Sequence, residues 1–259
     1  MKNKDLKKIY NRIYRKGEKK HFTKLKESKN AIPSDEKEAI KGTNWQGKKV
    51  LEIGCGTGRF AYEMVKRGAD VVAIDYSQEG IKIAKDLYKH KNLVFQCKDL
   101  KNTKGKYDII ISLGTLEHLD KPLQKLKLFK KHLKPKGSII FTCPYWSNPR
   151  GYILMSLFFL FDAPITLADL HYFSPADFEN FAKNLRMTLK WRTFDESRAY
   201  GDNLIKDFEK RLPNVLGDAK LPNNKKNIQN LLKWLKKDME ALAGKDKYGG
   251  ATALYYFKK

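Results

Sequence analysis

The stretch VLEIGCGTGRF, residues 50–60, constrains this chain more than any other. An apolar run empties into three glycines at alternate positions, and a helical pattern follows. A turn of this kind lets a nucleotide lie against bare backbone. The spacing narrows which nucleotide. A triphosphate loop needs GxxxxGK[ST], and no Lys-Ser or Lys-Thr pair follows these glycines. A dinucleotide turn reads GxGxxG, whereas Gly54, Gly56 and Gly58 read GxGxG and Arg59 stands where that fingerprint has Gly or Ala. Glu52 closes the preceding strand, and a carboxylate there would repel a pyrophosphate.

The pattern around the turn repeats along the chain. KVLEI (49–53), VVAI (71–74), NLVFQ (92–96), YDIIIS (107–112) and SIIFTC (138–143) read as strands. Helical patterns separate them: one from 59 to 66 ended by Gly68, one through Ile81, Ala84 and Leu87, and a Lys-rich one over Leu123, Leu126, Phe129 and Leu133. YDIIIS is almost wholly apolar, as a strand covered on both faces should be. The alternation predicts an α/β fold, a doubly wound, Rossmann-like parallel sheet with helices on both faces. Upstream, Leu6, Ile9, Tyr10, Ile13 and Tyr14 share one helical face, and residues 17–47 read as a polar loop. Downstream, 174–185 is a helix with Ser174 as its N-cap and Pro175 at its first position, and MTLKWRTF (187–194) is a strand. Residues 203–224 are mixed, broken by Pro213 and Pro222. An amphipathic helix runs from 227 to 243 with Gly244 as its stop, and ATALYYF (251–257) is a closing strand.

A cationic ligand reverses the electrostatics that exclude a pyrophosphate. S-adenosylmethionine carries a sulfonium and an ammonium, so Glu52 favours it. Asp75 ends the second strand and can accept both hydroxyls of a ribose. Asp99, in QCKDL, is placed to accept from an adenine amino group. The ordered set VLEIGCGTG, VVAIDYS, CKDL, YDIIISLGTLEHL and LKPKGSIIFTCP resembles the class I S-adenosylmethionine-dependent methyltransferases, closely over 48–145 and more loosely to the closing strand. The resemblance lies toward the small-molecule, ubiquinone-type members. It implies a seven-stranded sheet whose last strand is antiparallel. It also implies cofactor contacts at Glu52, Gly54, Cys55, Gly56, Gly58, Asp75, Tyr76, Asp99, Leu100 and Leu113.

Methyl transfer from a sulfonium is an in-line displacement, so the enzyme mainly aligns the partners and excludes water. A base is needed where the nucleophile must lose a proton. His118 follows the fourth strand at the carboxyl edge of the sheet and is the candidate base, with Glu117 beside it. Ordering of this loop is the alternative role for His118. Some quinone-ring and RNA-end methyltransferases of the class bind a divalent ion through ExxEH. Gly114 replaces the first Glu of that motif here, so no metal is expected. The nucleic-acid amino-methyltransferase motif [DNS]PP[YFW] is not present after the fourth strand, where the chain reads SLGTLE.

His171, in LHYFSP, resembles a stretch that faces the pocket in small-molecule methyltransferases and is a further candidate site residue. The apolar insertion carries Tyr145, Trp146, Tyr152, Phe158, Phe159 and Phe161. It could form a lid, while core packing of an added helix is the plainer expectation for 158–161. The chain therefore divides into an N-terminal helical, basic extension (1–47) covering the cofactor site and a methyltransferase domain (48–259). That domain holds an apolar insertion at 145–173 and a helical one at 203–244.

The expected acceptor is a small molecule methylated on oxygen or carbon, such as a glycan precursor, a quinone or lipid intermediate or another metabolite. RNA or protein is the alternative, because 53 Lys and Arg against 29 Asp and Glu give a net charge of +24. The lysines are spread along the chain without a dense block, which fits solvated helix faces. Three cysteines with no CxxC pair argue against a disulfide framework or a zinc site. The charged N-terminus lacks a signal-peptide core, and the apolar run 152–161 is too short to span a bilayer. A cytoplasmic enzyme without integral membrane association is expected, its oligomeric state left open.

Overall fold

A computed structural model describes Lys7, Lys8, Tyr10, Asn11 and residues 32–166, 169–240 and 249–259. One seven-stranded sheet organises them, in the order β3-β2-β1-β4-β5-β7-β6. The strands are β1 (Lys49–Ile53), β2 (Asp70–Asp75), β3 (Leu93–Cys97), β4 (Tyr107–Leu113), β5 (Leu133–Pro144), β6 (Thr188–Phe194) and β7 (Thr252–Lys258). β1 pairs in parallel with β2 on one side and β4 on the other. The chain thus winds outward in both directions from β1, and the order reverses at the carboxyl ends of β1 and β4. The glycine turn sits there. β7 runs antiparallel to both neighbours, as the resemblance implied.

Side chains alternate across the sheet as the pleat requires. Leu51, Ile110 and Phe141 point into the cluster that holds Phe129, Phe178 and Tyr255. Val50, Ile109 and Ile111 point to the other face, against Phe60, Met64 and Ala84. The covering helices are α1 (Ser34–Lys41), α2 (Arg59–Val65), α3 (Gln78–Leu87), α4 (Pro122–Lys131), α5 (Pro149–Phe161) and α6 (Pro175–Leu185). After β6 come α7 (Glu196–Tyr200), α8 (Asp202–Asp218) and α9 (Lys225–Glu240). A separate small core joins α5, α8 and α9 through Leu154, Phe208, Leu212, Ile228 and Leu232.

Four local expectations change. Residues 17–47 are not all loop, since Ser34–Lys41 is helical and buries Ala39. β5 begins at Leu133, so Leu133 belongs to the strand and PKG lies within it. Pro213 sits inside the continuous helix α8, where burial of Leu212 and Val215 outweighs its missing N–H. Phe159 and Phe161 are exposed on α5 rather than packed in a core, while Phe158 packs against Tyr172 with ring centroids 4.7 Å apart. The expected helix stop at Gly244 and the His21–Phe22 pair lie outside the described residues.

Gly58 shows how tightly the turn is built. It adopts φ +83°, and a Cβ there would lie 2.5 Å from Phe95 and 2.8 Å from Ala84. A left-handed alanine costs about 1–2 kcal/mol, and overpacking adds about 1–3 kcal/mol. Gly58→Ala is therefore expected to lower the denaturant midpoint of unfolding by an amount equivalent to ~2–5 kcal/mol.

Candidate active site

The glycine turn is fastened to β2 from both its backbone and its side chains. Gly54 and Cys55 donate their N–H groups to Ile74 O at 2.9 and 3.2 Å. Gly54 adopts φ +78°, and a Cβ there would fall 2.5 Å from Thr115 Oγ1. The backbone therefore passes directly under the loop that follows β4. Asp75 takes the Gly56 N–H on Oδ2 at 2.9 Å and the Ser77 N–H on Oδ1 at 2.7 Å. A carboxylate offers about four lone-pair sites, so two remain for the ribose hydroxyls expected of it. Burial raises the Asp75 pKa, and the backbone donors of Ser77 and Gly56 oppose that rise.

Glu52 is buried, and its Oε2 has no hydrogen-bond partner. Burial pushes its pKa well above the usual range, with Glu36 and Asp75 adding repulsion. A carboxyl so placed suits a cationic ligand, whose charge would supply the missing partner. Arg59, the position that departs from a dinucleotide fingerprint, forks onto Glu36 with contacts of 3.0–3.3 Å. It ties α1 to the start of α2. Cys55, within the turn, and Leu100, after β3, are buried, and Tyr76 and Leu113 are half-buried. Asp99 caps a short 3-10 turn, its Oδ1 accepting from Lys101 N at 2.9 Å.

Tyr10 lies over this cradle. Its ring meets Tyr76 edge-on at 6.2 Å and His118 at 5.9 Å. The next residue, Asn11, accepts a hydrogen bond from Ser77 Oγ at 2.6 Å.

His118 is delivered by a turn that the β4–β5 pairing shapes. Gly114 donates to Thr142 O at 3.0 Å and adopts φ +53°, and Leu116–His118 then form a 3-10 turn. His118 Nδ1 lies 3.1 Å from Asp169 Oδ1, both side chains being mostly buried. Glu117 points inward, where Cys143 Sγ donates to its Oε2 at 3.5 Å. Burial raises the Glu117 pKa to about 7, against the pull of His118. Its backbone carbonyl accepts the N–H groups of Leu170 and His171, which anchors the segment carrying Asp169. The His171 ring contacts Leu119 O through Nε2 at 3.0 Å and stacks on Phe173. It braces the same loop.

Glu117, His118 and Asp169 bring three ligand-type groups within 4.8 Å of one another. The expectation of no metal rested on Gly114 in place of an acid. The fold brings Asp169 to this pair from a segment outside the motif.

Residues 24–194 match the family described as "Methyltransferase domain". The chain belongs to that methyltransferase family. A ubiquinone biosynthesis O-methyltransferase from Acinetobacter baumannii is 29% identical over 158 residues, 57% of this chain and 66% of that protein. The chain thus spans a little less than two thirds of this relative. An S-adenosylmethionine-dependent methyltransferase from Mesorhizobium loti shares the fold at TM-score 0.56 and 13% identity, covering 87% and 98% of the two chains. Magnesium protoporphyrin IX methyltransferase from Synechocystis PCC 6803, solved with bound SAH, shares it at TM-score 0.50 and 19% identity, covering 61% and 72%. S-adenosylmethionine is the methyl donor to which these findings and the acidic cradle point. Among the described residues, no helix is long and apolar enough to cross a membrane.

The methyltransferase has site residues that its sequence patterns did not single out. Asp169 lies in an irregular segment with no motif of its own, and the backbone ties of Leu170 and His171 to Glu117 place it. Glu36 could have been noticed, because Pro33-Ser34-Asp35-Glu36 is a helix-start pattern with acids in the first turn.

Glu117 gives a pH-dependent test. Its folded pKa of about 7 stands above its usual 4.5, so the fold favours the protonated form. That contribution is complete below about pH 4.5 and is lost as pH rises through 7. Glu117→Gln stays neutral throughout. It should melt close to wild type at pH 5 and gain on it by at least ~2–4 °C at pH 8, the equivalent of about 1 kcal/mol.

Proposed function

We propose that the methyltransferase moves a methyl group from S-adenosylmethionine to an oxygen of a small molecule, with His118 as general base and Asp169 orienting it. The observation that carries this reading is the 3.1 Å His118–Asp169 contact at the switch point of the sheet, next to the glycine cradle. The curated O-methyltransferase relatives favour oxygen over carbon as the acceptor atom.

S-adenosylmethionine supplies a methyl group on a sulfonium, a leaving group that needs no acid. The chain's own residues do the rest. Glu52, Asp75 and the backbone of the glycine turn hold the cationic nucleoside against the ends of β1 and β2. Asp169 accepts the Nδ1–H of His118, which fixes the tautomer whose Nε2 carries the basic lone pair. Nε2 takes the acceptor's hydroxyl proton as the oxygen–methyl bond forms and the methyl–sulfur bond breaks. The imidazolium that results is stabilised by the Asp169 carboxylate. Buried Glu117 contributes by holding the Asp169 segment through its carbonyl. Tyr10, over Tyr76 and His118, keeps water from the reacting atoms. This reading assigns the cluster to proton transfer rather than to metal binding.

Binding and rate measurements test it. Asp75→Ala should weaken S-adenosylmethionine binding by calorimetry roughly tenfold or more, since charged hydrogen bonds are worth ~1.5–3 kcal/mol each. Unchanged affinity would remove Asp75 from the cofactor site. A labelled-methyl screen of metabolite extracts identifies the acceptor. With it, His118→Ala should cut turnover by about 10²–10⁴ while cofactor affinity holds. Asp169→Asn should shift the alkaline-rising limb of the pH–rate profile, and a chelator should leave the rate unchanged. Loss of the rate on chelation would turn the cluster into a metal centre.

A further inference from the structure

Arg150 occupies the second position of α5, just past the carboxyl end of β5 where ligands reach a doubly wound sheet. It is 8% exposed, and its Nε is wholly buried without a hydrogen-bond partner. A buried guanidinium needs an anion within hydrogen-bond reach, because it has lost the water that would otherwise solvate its charge. The nearest carboxylate among its ion-pair partners, Asp207, approaches Nε only to 3.5 Å.

Asp207 is already engaged. Arg211, 2% exposed, forks onto it with two contacts of 2.8 Å and donates a third bond to Ile165 O at 3.0 Å. Arg198 is paired separately, with Asp195 at 3.4 Å. Two buried arginines therefore share one carboxylate, and Arg150 is the one left with the poor geometry. Its position is wrong for a cation on a second count. The first turn of a helix carries the positive end of the helix dipole, which repels a guanidinium and attracts an anion. Burial, with Arg211 next in weight, depresses the Arg150 pKa to about 10.

The surroundings tie this charge to the reacting centre. Arg150 Cζ stands 5.4 Å from the Trp146 ring centroid. Trp146 meets Tyr172 edge-on at 5.4 Å. Tyr172 in turn feels the carboxylate of Asp169, the partner of His118.

We propose that Arg150, at the N-terminus of α5, is the anion-recognition site of the acceptor pocket, and that the methyl acceptor carries a carboxylate or phosphate which pairs with it. This rests on the small-molecule reading above and narrows it to anionic small molecules. The acceptor's anionic end is placed at Arg150 and its hydroxyl toward His118, with Trp146 and Tyr172 forming the packed link between the two.

The test needs no turnover. Benzoate, phenyl phosphate and the neutral benzamide are titrated by calorimetry into the full chain, with S-adenosylhomocysteine present and ionic strength fixed. Wild type should bind benzoate or phenyl phosphate at least tenfold more tightly than benzamide, and the tighter of the two tells carboxylate from phosphate. Arg150→Met should erase that preference, and Lys233→Met, a surface control on α9, should keep it. If Arg150→Met does not fold, Arg150→Lys is read instead. It keeps the charge without the fork and should lose at least half of the preference. Equal binding of benzamide and the anions by wild type, an undiminished preference in the Arg150 variant, or no binding of any probe overturns the proposal. His118→Ala separates the two readings. It should retain the anion preference, so a failure of the base assignment leaves the Arg150 result standing.

Discussion

Asp75 is the joint on which the site depends. One carboxylate holds the Gly56 N–H and the Ser77 N–H, so the glycine turn after β1 and the start of α3 after β2 are fixed to each other. Ser77 then caps α3 through Gly80 N and reaches Asn11 above the site. Backbone that would otherwise drift at two loop ends becomes a rigid cradle, and preorganisation of this kind is what an alignment-driven displacement requires. The energetic burden of the arrangement is electrostatic. Glu36, Glu52 and Asp75 converge, and burial already disfavours the charged forms of Glu52 and Asp75. A cationic nucleoside relieves that burden, whereas a pyrophosphate would deepen it.

The two halves of the site are built differently. The cofactor half uses strand ends and glycine backbone, positions fixed by sheet register, so its geometry follows directly from the pairing of β1 with β2 and β4. The acceptor half uses a loop and inserted helices. Glu117 buries its carboxyl and lends its carbonyl to Leu170 and His171, and that brings Asp169 to His118. The small core under α5, α8 and α9 holds Arg150 and Arg211 near the same region.

The sheet was legible because its signals are local. Alternating strands and helices, and the glycine spacing after KVLEI, need only near neighbours in sequence to be read. Boundaries failed where tertiary packing decided them. β5 extends back to Leu133 because Tyr107 pairs with it across the sheet, and α8 runs through Pro213 because its flanking side chains are buried. The Ser34–Lys41 helix was missed because it is short and polar. It is held by Glu36 to Arg59, a contact spanning 23 positions.

The sequence alone determined the donor. Gly54, Gly56, Gly58, Glu52 and Asp75 lie on consecutive elements, and the sign of their charge selects a cation. Only the tertiary structure brought the remaining candidate residues together. Asp169 reaches His118, and Arg150 meets Asp207, through contacts between residues 50 or more positions apart. No spacing rule encodes such meetings, because they depend on how inserted segments fold back over the sheet rather than on any periodicity within them.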